Sequence, residues 1–139
     1  MANQRIIDRY EGLQSRLEGI DSDGCFFLAL CSIAEEMLGT PIDLIDAVNL
    51  CYSNKLIVDK YTVQDAPMIL NLLTGKQWTI DKVTSLDNII IGDHDYTIAV
   101  YENPLNGIRH FRRRYVDTLT NSKTVAMNNI VEYRIYRWR

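Results

Sequence analysis

Asp23-Gly24-Cys25-Phe26-Phe27-Leu28-Ala29-Leu30-Cys31-Ser32-Ile33-Ala34-Glu35-Glu36-Met37-Leu38-Gly39 is the stretch from which the architecture of this 139-residue chain is read. Apolar side chains cover nearly the whole circumference of a helix running from about Cys25 to Leu38, and Gly39 supplies a normal C-terminal stop. Only Ser32, Glu35 and Glu36 are polar, and helical spacing gathers them on one narrow stripe. A helix apolar almost all round is buried on most sides, so the remaining chain is expected to wrap it. At about 100° per residue, Cys25 precedes Ser32 by seven positions and falls within about 20° of that stripe. Its thiol is therefore expected to face a cleft rather than the core.

Outward from this helix, the first half of the chain is helical in pattern. Ile6, Ile7, Tyr10, Leu13 and Leu17 recur at helical spacing between Gln4 and Leu17, before Gly19 and Asp21-Ser22-Asp23-Gly24 break the chain. Thr40-Pro41 is expected to open a third helix, with Thr40 as cap, Asp43 at the positive end and an apolar stripe of Leu44, Ile45, Val48, Cys51 and Tyr52. Asp65-Ala66-Pro67 opens a fourth that ends before Gly75. The second half is rich in β-branched and aromatic residues, and strands are expected at Gln77 to Val83, Asn88 to Ile91, Tyr96 to Tyr101, Ile108 to Val116, Lys123 to Met127 and Val131 to Trp138. Pro104-Leu105-Asn106-Gly107 joins two of them as a hairpin, and Asn128-Asn129 suits another tight turn. Helices followed by a meandering antiparallel sheet make an α+β domain. With no repeat and no linker, residues 1–139 form one domain.

Composition narrows the function classes. Apolar residues are 47% and charged residues 24% of the chain, the balance of a folded globular domain. The longest apolar run, Cys25 to Cys31, is far short of the roughly 18 residues a membrane helix needs. Arg5, Asp8, Arg9, Arg16 and Glu18 rule out a secretory signal core, so the expectation is a mature chain beginning near Met1 in the cytoplasm. Cys25, Cys31 and Cys51 lie in helix-like segments rather than turns, which is no disulfide framework. No Cys-x-x-Cys occurs and neither histidine stands at zinc-ligand spacing from a cysteine, so no metal and no cofactor is expected. Charge is uneven: residues 1–104 carry −9 and residues 105–139 carry +6. Such asymmetry marks either a surface for an anionic partner or basic strands paired with acidic helices inside one domain.

Cys25 follows Asp23-Gly24 and sits in the first helical turn, where unpaired backbone N–H groups and the helix dipole favour an anion. Those features lower a thiol pKa and could also hold an oxyanion, although Asp21 and Asp23 act in the opposite sense. The alternative for Cys25 is a plain buried cysteine like Cys31 and Cys51. A thiol nucleophile needs a base, and only His110 and His94 are available. His110 stands early in the strand that follows the hairpin. His94 stands in the polar loop Asp93-His94-Asp95. Asp117, then Asn121, is the candidate to orient the imidazole. His110 and Asp117 are seven apart and would point to opposite faces of one straight strand, so the chain must bend or turn between them.

This order of parts resembles the papain-like cysteine peptidase superfamily, whose compact bacterial members, including the peptidases that process bacteriocin leaders, are nearest in size. More closely, Asp23-Gly24-Cys25-Phe26-Phe27-Leu28-Ala29-Leu30 with Ile33-Ala34-Glu35-Glu36, Gly107-Ile108-Arg109-His110-Phe111, Asp117 to Val125, and Tyr133-Arg134-Ile135-Tyr136 resemble an uncharacterised family of small bacterial and phage proteins. The similarity spans about residues 20–138. It implies a papain-like fold with Cys25 as nucleophile, His110 as base and Asp117 as the orienting residue. Papain-like enzymes place a glutamine a few residues before the cysteine to complete the oxyanion hole. Here Gln14 is eleven residues upstream, and Ser22 or backbone N–H groups would take that role.

Two functions of different class follow. The first is a cysteine peptidase or amidohydrolase acting on a peptide or amide bond. The second is an inactive papain-like module whose basic C-terminal strands, with Arg109, Arg112, Arg113 and Arg114, bind nucleic acid, a nucleotide or an acidic protein, as a phage counter-defence protein would. Nucleic acid is the less favoured partner, and no membrane contact is expected. No glycine-rich phosphate loop is present, which argues against a nucleotide-using enzyme.

Overall fold

The structure, a computed structural model, describes residues 6, 10, 22–58, 62–113 and 129–139, with only the backbone described at 22–24 and 129. The fold is α+β. Among the described residues, helices α1 (Ser22–Leu38), α2 (Leu44–Ser53) and α3 (Ala66–Thr74) precede the main sheet of β3 (Trp78–Val83), β4 (Asp95–Glu102), β5 (Arg109–Arg112) and β6 (Asn129–Trp138). A small antiparallel pair, β1 (Ile57–Val58) and β2 (Thr62–Val63), lies between α2 and α3. The expected helix over Gln4 to Leu17 lies outside the described residues apart from Ile6 and Tyr10, both helical. No helix among the described residues is long and apolar enough to cross a membrane.

Helix α1 is the spindle of the fold. It lies against β5, α3 and β2, and Phe27, Leu30, Cys31, Ile33 and Ala34 are buried along it, as its apolar circumference requires. It starts at Ser22, one turn earlier than expected: Ser and Asp favour helix starts, so Ser22, Asp23 and Gly24 belong to the helix instead of breaking the chain before it. Helix α3 matches its expected signals. The Asp65 side chain accepts the Met68 N–H at 3.0 Å, and Gly75 ends the helix at φ 74°, a conformation that other residues adopt at a cost. Helix α2 begins later than Thr40-Pro41 suggested. Asp43 is its cap, with Oδ1 accepting from the N–H groups of Ile45 (2.9 Å) and Asp46 (3.2 Å). Of the expected stripe, Cys51 is buried and Leu44 and Val48 pack against the core, Ala47 joins them, and Ile45 and Tyr52 are exposed.

The sheet is antiparallel, but its order is β3-β6-β4-β5 and not a meander. The closing strand inserts between β3 and β4, pairing Lys82 with Arg134 on one side and Ile98 with the same Arg134 on the other. Residues Asn88 to Ile91 form no strand. Asn88 is left-handed at φ 65°, the Ile89 N–H closes a turn onto the Leu86 carbonyl, and Ile90 is 89% exposed. Strand β5 spans Arg109–Arg112 and ends at a bend at Arg113; the rest of the expected continuation to Val116 and the strand at Lys123 to Met127 lie outside the described residues. The hairpin at Pro104 to Gly107 forms as expected, closed by Gly107 N–H to the Asn103 carbonyl at 2.8 Å, with Gly107 at φ 72°. Alternation gives the sheet two faces at β4 and β5. Val100, Ile98, Phe111 and Tyr136 join the core around α1, whereas Tyr101, His110 and Arg112 alternate to the opposite side and are also buried.

Candidate functional site

Cys25 is the fourth residue of α1 and is fully buried. The next residue, Phe26, stacks on Phe111 with ring centroids 4.4 Å apart, and Phe111 immediately follows His110. Ten residues further along α1, Glu36 reaches Arg113, whose guanidinium lies 5.7 Å from the centre of the Tyr96 ring. Helix α1 therefore lies against β5, with its N-terminal end at Phe111 and its C-terminal end reaching Arg113 and, through it, Tyr96. His110 stands at the Cys25 end. His94 stands beyond the other end of β4, roughly 20 Å of strand away, exposed and edge-on to Trp138 at 5.7 Å. Strand alternation points Phe111 at α1 and His110 to the opposite face, on the outermost strand of the described sheet. Gln14, Asp117, Asn121 and Arg114, and the side chain of Ser22, lie outside the described residues.

The polar stripe of α1 does not line an open cleft. Arg113, 6% exposed, enters against it: Nη1 donates to Ser32 Oγ at 3.0 Å and Nη2 to Glu36 Oε2 at 2.8 Å. Ser32 in turn donates to the Ala29 carbonyl at 2.7 Å. Glu35 points elsewhere, its Oε1 accepting from Tyr10 Oη at 3.3 Å and the Ile42 N–H at 3.1 Å. Spacing placed the three polar residues together, yet each carboxylate has its own long-range partner.

Several other described cations of the C-terminal region are also engaged internally. Arg109 pairs with Glu102 at 3.0 Å, Arg134 with Glu132 at 2.6 Å, and Arg137 with Asp81 and Asp95. Arg112 is 6% exposed. Part of the charge asymmetry is thus basic residues meeting acidic groups of the first 104 residues, at Arg109, Arg113 and Arg137. What the sequence reading did not single out is a groove of about 400 Å³ beside Phe26, between the start of α3 and the β3/β6 pair, with Lys82 and Arg134 in its wall. Only strand register brings those two cations together, and no local motif announces it.

Cys31 and Cys51 differ from a nucleophile. Burial, then Cys51, then Glu35 push the Cys31 thiol well above its ordinary value, and burial raises Cys51 to about 11. Burial likewise raises Tyr101 to about 12, with Tyr133 adding to it. Each folded-state value lies above the unfolded one, so the unfolded chain releases these protons first and stability declines as pH rises. Stability from Cys51 is complete below its ordinary 9.0 and is lost as pH climbs through about 11. Thermal melts are expected to fall by several degrees, about 5 °C or more, between those pH values. Cys51→Ala should flatten that limb; a wild-type melting temperature constant to pH 11 would refute the assignment.

No family model, curated protein or solved structure matches the chain.

Proposed function

We propose that the chain is a small papain-like thiol hydrolase cleaving a peptide or amide bond. The observation that carries this reading is the Phe26–Phe111 stack, which joins the start of the cysteine-bearing helix to the strand residue next to His110. Cys25 would attack the carbonyl carbon, forming a C–S bond while His110 takes the thiol proton. Collapse of the tetrahedral adduct breaks the C–N bond as His110 returns the proton to the leaving amine, and water then hydrolyses the thioester. Asp117 would orient the ring, and backbone N–H groups at the start of α1, with Ser22 or Gln14, would hold the oxyanion. The imidazole must then come round the outer edge of β5 to reach the sulfur.

A second reading keeps the papain-like fold without turnover and is favoured by two observations: Cys25 is fully buried, and His110 alternates away from α1. On it the chain binds an anionic partner. Of the arginines first considered for that surface, Arg109 and Arg113 are paired internally and Arg112 is buried, which turns attention to the groove cations.

One experiment separates the two. Alkylation by iodoacetamide at pH 7, resolved by cysteine in a mass spectrometer, is expected to modify Cys25 at least about tenfold faster than Cys31 or Cys51 if His110 activates it. Cys31 and Cys51 should stay unreacted, and His110→Ala should remove the advantage. Alkylation of Cys25 no faster than that of Cys31, or a rate indifferent to His110→Ala, excludes the hydrolase.

A further inference from the structure

The groove beside Phe26 holds an electrostatic conflict. Lys82 and Arg134 are direct cross-strand partners on the face that looks towards α1 and α3, and like charges so placed are destabilising. Arg134 is anchored: Nε donates to Glu132, and its guanidinium carbon lies 5.0 Å from the Phe26 ring centre and 5.1 Å from that of Phe111. Lys82 is exposed and makes no ion pair with a described residue. The one acidic group in the lining, Asp65, already serves as the cap of α3. The remaining wall, including Phe26 and Pro67, is largely apolar.

We propose that this groove receives the carboxylate side chain, Asp or Glu, of a peptide, with Lys82 as its counter-ion. The ligand class rests on the peptide-hydrolase reading above, since Phe26 both lines the groove and adjoins Cys25. A carboxylate on a short apolar stem matches the site: the stem lies on Phe26 and Pro67 while the head bridges towards Lys82 and relieves its repulsion with Arg134. A more highly charged phosphate ligand would meet Asp65 and the apolar wall.

The test uses the full-length Cys25→Ala protein, which cannot turn a substrate over, titrated by NMR with acetyl-Ala-Glu-Ala-amide, acetyl-Ala-Gln-Ala-amide and inorganic phosphate. The glutamate peptide is expected to bind at least about fivefold more tightly than the glutamine peptide. Lys82→Met should abolish that preference and Lys82→Arg retain it, with neither variant melting lower than the parent, because Lys82 is exposed and its charge opposes that of Arg134. Equal binding of the two peptides, binding of neither, a preference that survives Lys82→Met, or tighter binding of phosphate would each overturn the proposal. Alkylation of Cys25 is measured separately on the wild type. An inert Cys25 with the glutamate preference intact removes the catalysis and keeps the groove, and the reverse result removes the groove alone.

Discussion

Glu36→Ala is expected to lower the unfolding free energy by about 3–5 kcal/mol, read from urea denaturation at neutral pH. The side chains of Glu36 and Arg113 are 7% and 4% exposed and meet at 2.8 Å. Deleting the carboxylate removes a charged partner from a buried guanidinium that also donates to the Ser32 hydroxyl and lies against the Tyr96 ring. The size of the effect comes from the cost of keeping that charge buried with less compensation, and not from the strength of the pair alone. The double variant Glu36→Met/Arg113→Met should therefore recover more than half of the loss, since well-packed apolar replacements of a buried pair are near neutral. A single-variant loss below about 1 kcal/mol, the range of exposed pairs, would show that water reaches the site.

Glu35→Ala is the second large effect, at about 2–4 kcal/mol. Glu35 is 2% exposed, and its Oε1 accepts from both Tyr10 Oη and the Ile42 N–H. Removing it leaves two donors without their partner, at roughly 1–3 kcal/mol each, offset in part by relaxation. Because Tyr10 belongs to the N-terminal region and Ile42 to the connection before α2, the loss should be accompanied by faster amide exchange at Ile42, a readout that simple core truncation of α1 would not share. Glu35→Gln, which keeps an acceptor, should cost less than half as much. Equal losses for the two substitutions would mean that the charge, and not the hydrogen bonds, is what matters.

The functional geometry depends on these same anchors. Arg113 holds the strand that carries His110 against α1, and Phe26 on Phe111 sets where along β5 the start of the helix lies. A change at Glu36 is thus expected to disturb the cysteine and histidine region without touching either residue, so its stability must be measured before any activity is compared.

Local chemistry was legible in the sequence wherever the deciding groups are neighbours in the chain. The apolar circumference from Phe26 to Leu38 announced a buried central helix, Asp65 and Gly75 marked the ends of α3, and the segment from Pro104 to Gly107 announced its hairpin. Helix periodicity, caps and left-handed turns are settled within a few residues. The failures are those of residues whose partners are distant. Asn88 to Ile91 had strand composition but found no strand to pair with, and the acidic stripe of α1 awaited Arg113, 77 positions from Glu36.

Composition and spacing thus determined the α+β class, the buried helix bearing Cys25 and the stock of candidate groups. Tertiary structure alone decided that β6 lies between β3 and β4, that Phe111 rather than His110 faces the helix, that Arg112 and Arg113 are buried, and that Lys82 meets Arg134. The physical reason is that a strand's side chains alternate every residue, so which of them face each other depends on pairing register across the sheet. A shift of one position in that register sends every side chain to the other face.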